Sequence, residues 1–122
     1  MLLGKVYVRQ RVTTNSPEGT GWLHIPTPDK CEVSQISVGP TGLVWAVTWH
    51  GRALVRHGIT RLDPSGQSWS VLDPPGPSSP LSIVAVGNHV VWAISRDKTV
   101  WFRNGIHGPG SGDRYNEYAL EN

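Results

Sequence analysis

The sequence has a single cysteine, Cys31, in 122 residues. No intramolecular disulfide can form, which excludes the cross-linked framework of small secreted domains for this stretch. An asparagine-linked glycosylation sequon is also missing, since Asn15-Ser16 is followed by Pro17. Charge is sparse: charged residues are 16% of the chain and sum to +2. An excess that small, scattered along the chain, excludes the basic face that nucleic-acid binding requires. The nearest basic grouping, Lys5, Arg9 and Arg11, reads as a solvated strand face. No apolar run approaches the ~20 residues of a membrane-spanning helix. The opening MLLGKVYVRQ lacks the apolar core of a signal peptide. These absences point to a cytoplasmic location.

What the chain does contain is turn residues and tryptophan. Fourteen glycines and ten prolines break it into short apolar runs, and six tryptophans supply much of a hydrophobic fraction of only 38%. Long helices and coiled coils are excluded by that punctuation, and many short strands between turns read as an all-β protein.

The runs repeat. Gly4-Lys5-Val6-Tyr7-Val8-Arg9 aligns with Gly51-Arg52-Ala53-Leu54-Val55-Arg56, and both align with Lys98-Thr99-Val100-Trp101-Phe102-Arg103. Arg9, Arg56 and Arg103 are spaced by 47 residues, each followed by a β-branched residue, Val12, Ile59 or Ile106. Ser16-Pro17-Glu18-Gly19 aligns with Asp63-Pro64-Ser65-Gly66, and both predict β-turns in which proline sets φ and glycine tolerates positive φ. Trp22 and Trp69 stand three residues after those glycines and open the strands Trp22–Ile25 and Trp69–Leu72. Further on, Ile36-Ser37-Val38-Gly39 matches Val84-Ala85-Val86-Gly87, and Leu43-Val44-Trp45-Ala46-Val47 matches Val90-Val91-Trp92-Ala93-Ile94. About four short strands per unit is the size of a propeller blade. Alternation predicts Leu43, Trp45, Val47 and Trp49 on one sheet face and Val44, Ala46 and Thr48 on the other.

These motifs resemble tectonin repeats, whose pattern runs from a tryptophan strand through Ile-Ser-Val-Gly and Val-Trp-Ala-Val strands to an Arg-x-Gly-Ile ending, here Arg56-His57-Gly58-Ile59. The match covers residues 4 to about 107. It implies β-propeller blades: about two complete four-stranded blades and a partial one. Residues 1–21 would end a preceding blade, 22–68 and 69–107 would be two repeats, and 108–122 a divergent loop or tail, since Asn116 stands 47 residues past Trp69 where the pattern has tryptophan. Because about four to eight blades close a ring, the chain reads as a fragment, a splice product or a partial gene model. Such a piece is expected to be marginal alone and to self-associate through exposed sheet faces. The resemblance further implies a non-enzymatic scaffold whose parent tethers autophagosomes to lysosomes or responds to damaged lysosomal membranes. Autophagy-related proteins would be its partners, the parent's other domains would carry membrane association, and the site of action would be the cytosolic face of those organelles. A carbohydrate-binding lectin of the tectonin type is the alternative.

His24, His50, His57, His89 and His107 stand at no metal-ligand spacing with one another or with Cys31, so no metal is expected. No carboxylate pair, nucleophile elbow or phosphate-binding glycine loop occurs, which predicts neither enzyme activity nor a cofactor. Trp22, Trp45, Trp69, Trp92, Arg9, Arg56 and Arg103 are expected to build the repeat. Trp22 with Ile25, and Trp69 with Leu72, also fit an aromatic-x-x-aliphatic motif that can dock by strand addition, although its recurrence at one repeat position favours a structural role. The prolines at 74, 75, 77 and 80 predict a loop between strands.

Overall fold

The computed structural model describes residues 4–76, 79–106, 108 and 115–118, and every regular element among them is a β-strand. Strands β1 (Val6–Arg9) and β2 (Trp22–Ile25) form a two-stranded half-blade. A first full blade follows, from β3 (Val33–Val38), β4 (Val44–Thr48), β5 (Ala53–His57) and β6 (Ser68–Leu72), paired in chain order. A second contains β7 (Leu81–Val86), β8 (Val91–Ser95), β9 (Val100–Arg103) and β10 (Asn116–Tyr118), again paired in chain order. All pairings are antiparallel. This is the all-β architecture of two four-stranded blades and a partial one that the repeat implies.

The β-branched and aromatic residues of these runs favour a pleated backbone, and their alternation gives each blade two apolar faces. On β4, Trp45 and Val47 enter a core shared with the second blade, whose members there include Leu81, Val84, Val91, Ala93 and Ile106. Ala46, on the opposite face of β4, joins Leu54, Val33 and Cys31 in a core shared with Val6 and Ile25 of the half-blade. The expected partition of alternate residues is thus observed along β4. It fails at Trp49, which lies past the strand end in the turn and is 59% exposed.

Backbone bonds repeat at both seams. Val33 N–H donates to Gly4 C=O at 3.0 Å, and its counterpart Leu81 N–H donates to Gly51 C=O at 2.9 Å. The seam between the full blades adds a side-chain clamp. The Gln35 amide donates to Val84 C=O at 2.9 Å and accepts from Val84 N–H at 2.8 Å, while Ser37 Oγ accepts from Val86 N–H at 3.0 Å. The otherwise unpaired edge of β7 is satisfied by side chains of β3, which matters because each unmet buried backbone group would cost about 1–3 kcal/mol.

The sequence repeats and the sheets are offset by one strand. The repeat at 22–68 begins with β2, but β2 hydrogen-bonds to β1 and the sheet of β3–β5 takes β6 as its outer strand. A sheet closed by a strand from the next repeat ties successive repeats together. The tail is likewise more than a loop: within 108–122, Asn116–Tyr118 forms β10 on β9. Its register places Asn116 opposite Phe102, whereas Trp69 lies opposite Arg56. A one-residue slip therefore assigns the tryptophan position to Tyr115, next to Arg103.

Candidate functional site

In each unit an arginine at the end of the third blade strand stacks on the aromatic that opens the fourth. Arg9 lies 5.0 Å from the Trp22 ring centroid, Arg56 5.0 Å from Trp69 and Arg103 4.9 Å from Tyr115. In the first two units the same arginine latches the turn that follows it: Arg9 Nε donates to Glu18 C=O at 2.8 Å and Arg56 Nε to Ser65 C=O at 3.0 Å. Those turns are closed by Gly19 N–H to Ser16 C=O and Gly66 N–H to Asp63 C=O, at 3.0 and 3.1 Å. Gly66 has a φ of +74°, and a Cβ there would approach His57 O to 2.9 Å and Arg56 Nε to 3.0 Å. The glycine leaves room for the guanidinium to reach the turn. Burial pulls the Arg56 pKa down from its ordinary value and Asp63 opposes that shift. An arginine remains charged in either case, so the contact is a cation over a ring worth about 0.5–2 kcal/mol. Burial also pushes the Tyr115 phenol above its usual 10, against the nearby Arg103 charge.

The tryptophans separate into distinct environments. Trp45 is fully buried, and its ring lies 5.6 Å below the Arg103 guanidinium of the next blade. Its counterpart Trp92 is 39% exposed and packs with Phe102 and Tyr118 at centroid distances of 5.4 Å. Trp69 donates its indole N–H to Pro26 C=O at 3.0 Å, tying the first blade to the half-blade. Trp22, at the equivalent position of the half-blade, is 65% exposed.

Both aromatic-x-x-aliphatic motifs lie on strands at sheet edges. Their aliphatic ends are engaged: Ile25 is buried in the half-blade seam and Leu72 packs on the core between the full blades. The histidines scatter. His57 Nε2 is 2.5 Å from Ser70 Oγ, His89 Nδ1 is 2.9 Å from Ile106 O, and His24 stacks on Tyr7 at 5.3 Å. His50 is exposed, and His107 lies outside the described residues. Among the described residues, no three or more of His, Cys, Asp and Glu gather where a metal could be held, and no helix is long and apolar enough to cross a membrane. Pro74, Pro75 and Pro80 connect β6 to β7, whereas Pro77 and Ser78 fall outside the described residues.

Two features were not singled out in the sequence. The Gln35–Ser37 clamp is invisible to a repeat search because Gln35 aligns with Ile83 in the second blade. The other is an apolar cavity of about 420 Å³ between the half-blade and the first blade, lined by Val8, Ile25, Val44, Ile59, Trp69 and the buried Arg56 among others.

Comparison with known proteins agrees with this geometry. The family model of the Hyd_WA propeller matches residues 2–25, 43–72 and 90–109, stretches that contain β1, β2, β4, β5, β6, β8 and β9. A tectonin β-propeller repeat-containing protein of Drosophila melanogaster is 50% identical over 40 residues, which is 33% of this chain and 3% of that protein. Tectonin β-propeller repeat-containing protein 1 of Xenopus tropicalis is 49% identical over 43 residues, 35% of this chain and 4% of that protein. The matched stretches are a small part of those relatives' length. With blades, latched turns and matched segments in the same places, the chain belongs to the Hyd_WA propeller family of tectonin repeats, a family of non-enzymatic repeats.

Proposed function

We propose that the chain is a non-enzymatic propeller segment that serves as a protein-interaction scaffold. The observation that carries this reading is the outer flank of the second blade. Ile83, Trp92 and Tyr118 are 45%, 39% and 45% exposed, and pairing of Trp92 with Phe102 and of Tyr118 with Val100 places them on one sheet face. A contiguous exposed apolar face on a rigid sheet is suited to protein contact. The repeated arginines and most of the repeated aromatics, by contrast, are engaged in holding the blades. Following the resemblance, the parent-level role is tethering of autophagosomes to lysosomes or a response to lysosomal membrane damage. That role has autophagy-related proteins as partners, the cytosolic face of those organelles as its location, and membrane contact through the parent's other domains.

Parallel measurements test it: biolayer interferometry of the chain against a purified autophagy conjugation complex, and a glycan array. Expected is binding to the complex, reduced about 30-fold or more by Trp92→Glu with the circular dichroism spectrum unchanged. Glycan binding without affinity for the complex would replace the scaffold reading with the lectin one.

A further inference from the structure

The turn between β4 and β5 and the turn between β8 and β9 share one backbone design and differ in their side chains. Thr48 N–H donates to Arg52 C=O at 2.9 Å and Gly51 N–H to Thr48 C=O at 3.0 Å. The matching bonds, Ser95 N–H to Thr99 C=O and Lys98 N–H to Ser95 C=O, are 3.0 and 2.9 Å. In the second blade this turn holds an anion of its own. The Asp97 carboxylate accepts from Ser95 Oγ and from Thr99 N–H, the latter at 3.1 Å, and these bonds hold its pKa below the usual carboxylate value. In the first blade His50 stands at the Asp97 position, and Arg52 N–H turns instead to Thr48 Oγ1 at 3.2 Å. Among the described residues no carboxylate bonds to this turn.

Beside the first-blade turn is a cavity of about 380 Å³, lined by Asp29, Lys30, Cys31, Thr48, His50 and Arg52. Its walls are fixed by backbone bonds. Cys31 N–H donates to Pro28 C=O at 3.1 Å, and Trp49 N–H ties the entry loop to the turn through Glu32 C=O at 3.0 Å. Its cations have no partner within the described residues: neither Lys30 nor Arg52 lies within ion-pair distance of a carboxylate, Asp29 included. The Thr48 hydroxyl accepts from Arg52 N–H and keeps its own proton to donate. Two cations and a hydroxyl donor thus face a polar space, and Lys30 and Arg52 outweigh the single carboxylate of Asp29.

We propose that this cavity is a docking site for a carboxylate side chain of an acidic partner segment. Arg52 offers the planar fork that matches a carboxylate, Lys30 adds a second positive charge, and the Thr48 hydroxyl gives a further hydrogen bond. The second blade shows what this turn accepts: the guest takes the part that Asp97 plays from within one repeat later. That precedent assigns a carboxylate and not a phosphate. A volume of about 380 Å³ falls within the ~300–1,000 Å³ of ligand pockets, enough for an aspartate or glutamate side chain with its flanking backbone. The site is on the first blade, apart from the Trp92 flank, so it stands or falls independently of the scaffold reading.

The test titrates the isotope-labelled chain with an acetylated, amidated Gly-Asp-Glu-Asp-Gly peptide and with its Gly-Asn-Gln-Asn-Gly counterpart, read by amide chemical shifts. Expected is saturable binding that moves the amides of 29–32 and 48–52, weakened about 10-fold or more by the neutral peptide and by Arg52→Gln. His50→Asp should abolish binding, because it supplies the carboxylate from within as Asp97 does. Arg61→Gln removes the same charge from an exposed position at the other end of β5 and should leave the affinity unchanged. Circular dichroism checks that the variants fold, and if His50→Asp does not, Lys30→Gln provides a second block of the cavity. The proposal is overturned by no binding, by equal affinity for the two peptides, by equal losses from Arg52→Gln and Arg61→Gln, or by undiminished binding to folded His50→Asp. Inorganic phosphate that moves the same amides at a lower concentration than the acidic peptide would overturn it in favour of a phosphate ligand.

Discussion

The seam between the two full blades and the seam between the half-blade and the first blade use the same repeat positions and close to different degrees. In the former, Trp45, Val47, Ala53, Val55, Leu81 and Val91 are fully buried, and the Gln35–Val84 clamp satisfies the facing strand edge. In the latter, Val6, Ile25 and Val33 are buried but a cavity of about 420 Å³ remains, and Ile36 and Val38 on β3 are 43% and 65% exposed. The difference has one structural source. A blade contributes both an inner hairpin and an outer hairpin to its neighbour's cover, and among the described residues the half-blade supplies the outer one alone. Closure is therefore a property of adjacent repeats, as expected where stability sums repeat and interface terms.

Substitutions can break this comparison. The largest effect belongs to Trp45→Ala, which empties the sealed seam and should cost about 3–5 kcal/mol in urea denaturation. Trp92→Ala, at the same repeat position on an open flank, should cost less than half as much because its ring already faces water. Equal losses would mean that burial between blades does not distinguish the two tryptophans. Gly66→Ala should follow at about 1–3 kcal/mol, through its positive φ and the crowding of His57 O and Arg56 Nε. Gln35→Ala should cost about 1–2 kcal/mol by leaving Val84 unpaired. At the half-blade seam no described side chain makes the corresponding contact, so this loss should be confined to protection of β7 in hydrogen exchange.

The smallest effect is pH-dependent. Burial raises the Tyr115 pKa above 10, so the folded state holds that proton more tightly than the unfolded chain. The linked stability is intact below about pH 10 and falls as pH rises beyond it. Tyr115→Phe should therefore lose less stability between pH 9 and pH 11 than the parent does. Identical slopes would remove Tyr115 from the seam's energetics.

Much of this fold could be read in the sequence because the repeated residues are the ones that build blades. The 47-residue spacing located the arginines, the proline turns and the tryptophan strands, and alternation on β4 assigned its two cores. Two things escaped. Sheet boundaries are set by pairing across a repeat junction, so β2 could not be assigned to β1 from spacing alone. Tyr115 was hidden by a one-residue slip, and only its place over Arg103 reveals it as the counterpart of Trp69. The proposed scaffold role and partners rest on resemblance and on the exposed flank.

The most direct test of the unequal seams is native-state hydrogen exchange on β1 and β5, which occupy the same repeat position. Expected is exchange of the β5 amides only near the global unfolding free energy, with β1 amides exchanging through a local opening of clearly lower free energy. Equal protection of Val8 and Val55 would contradict it.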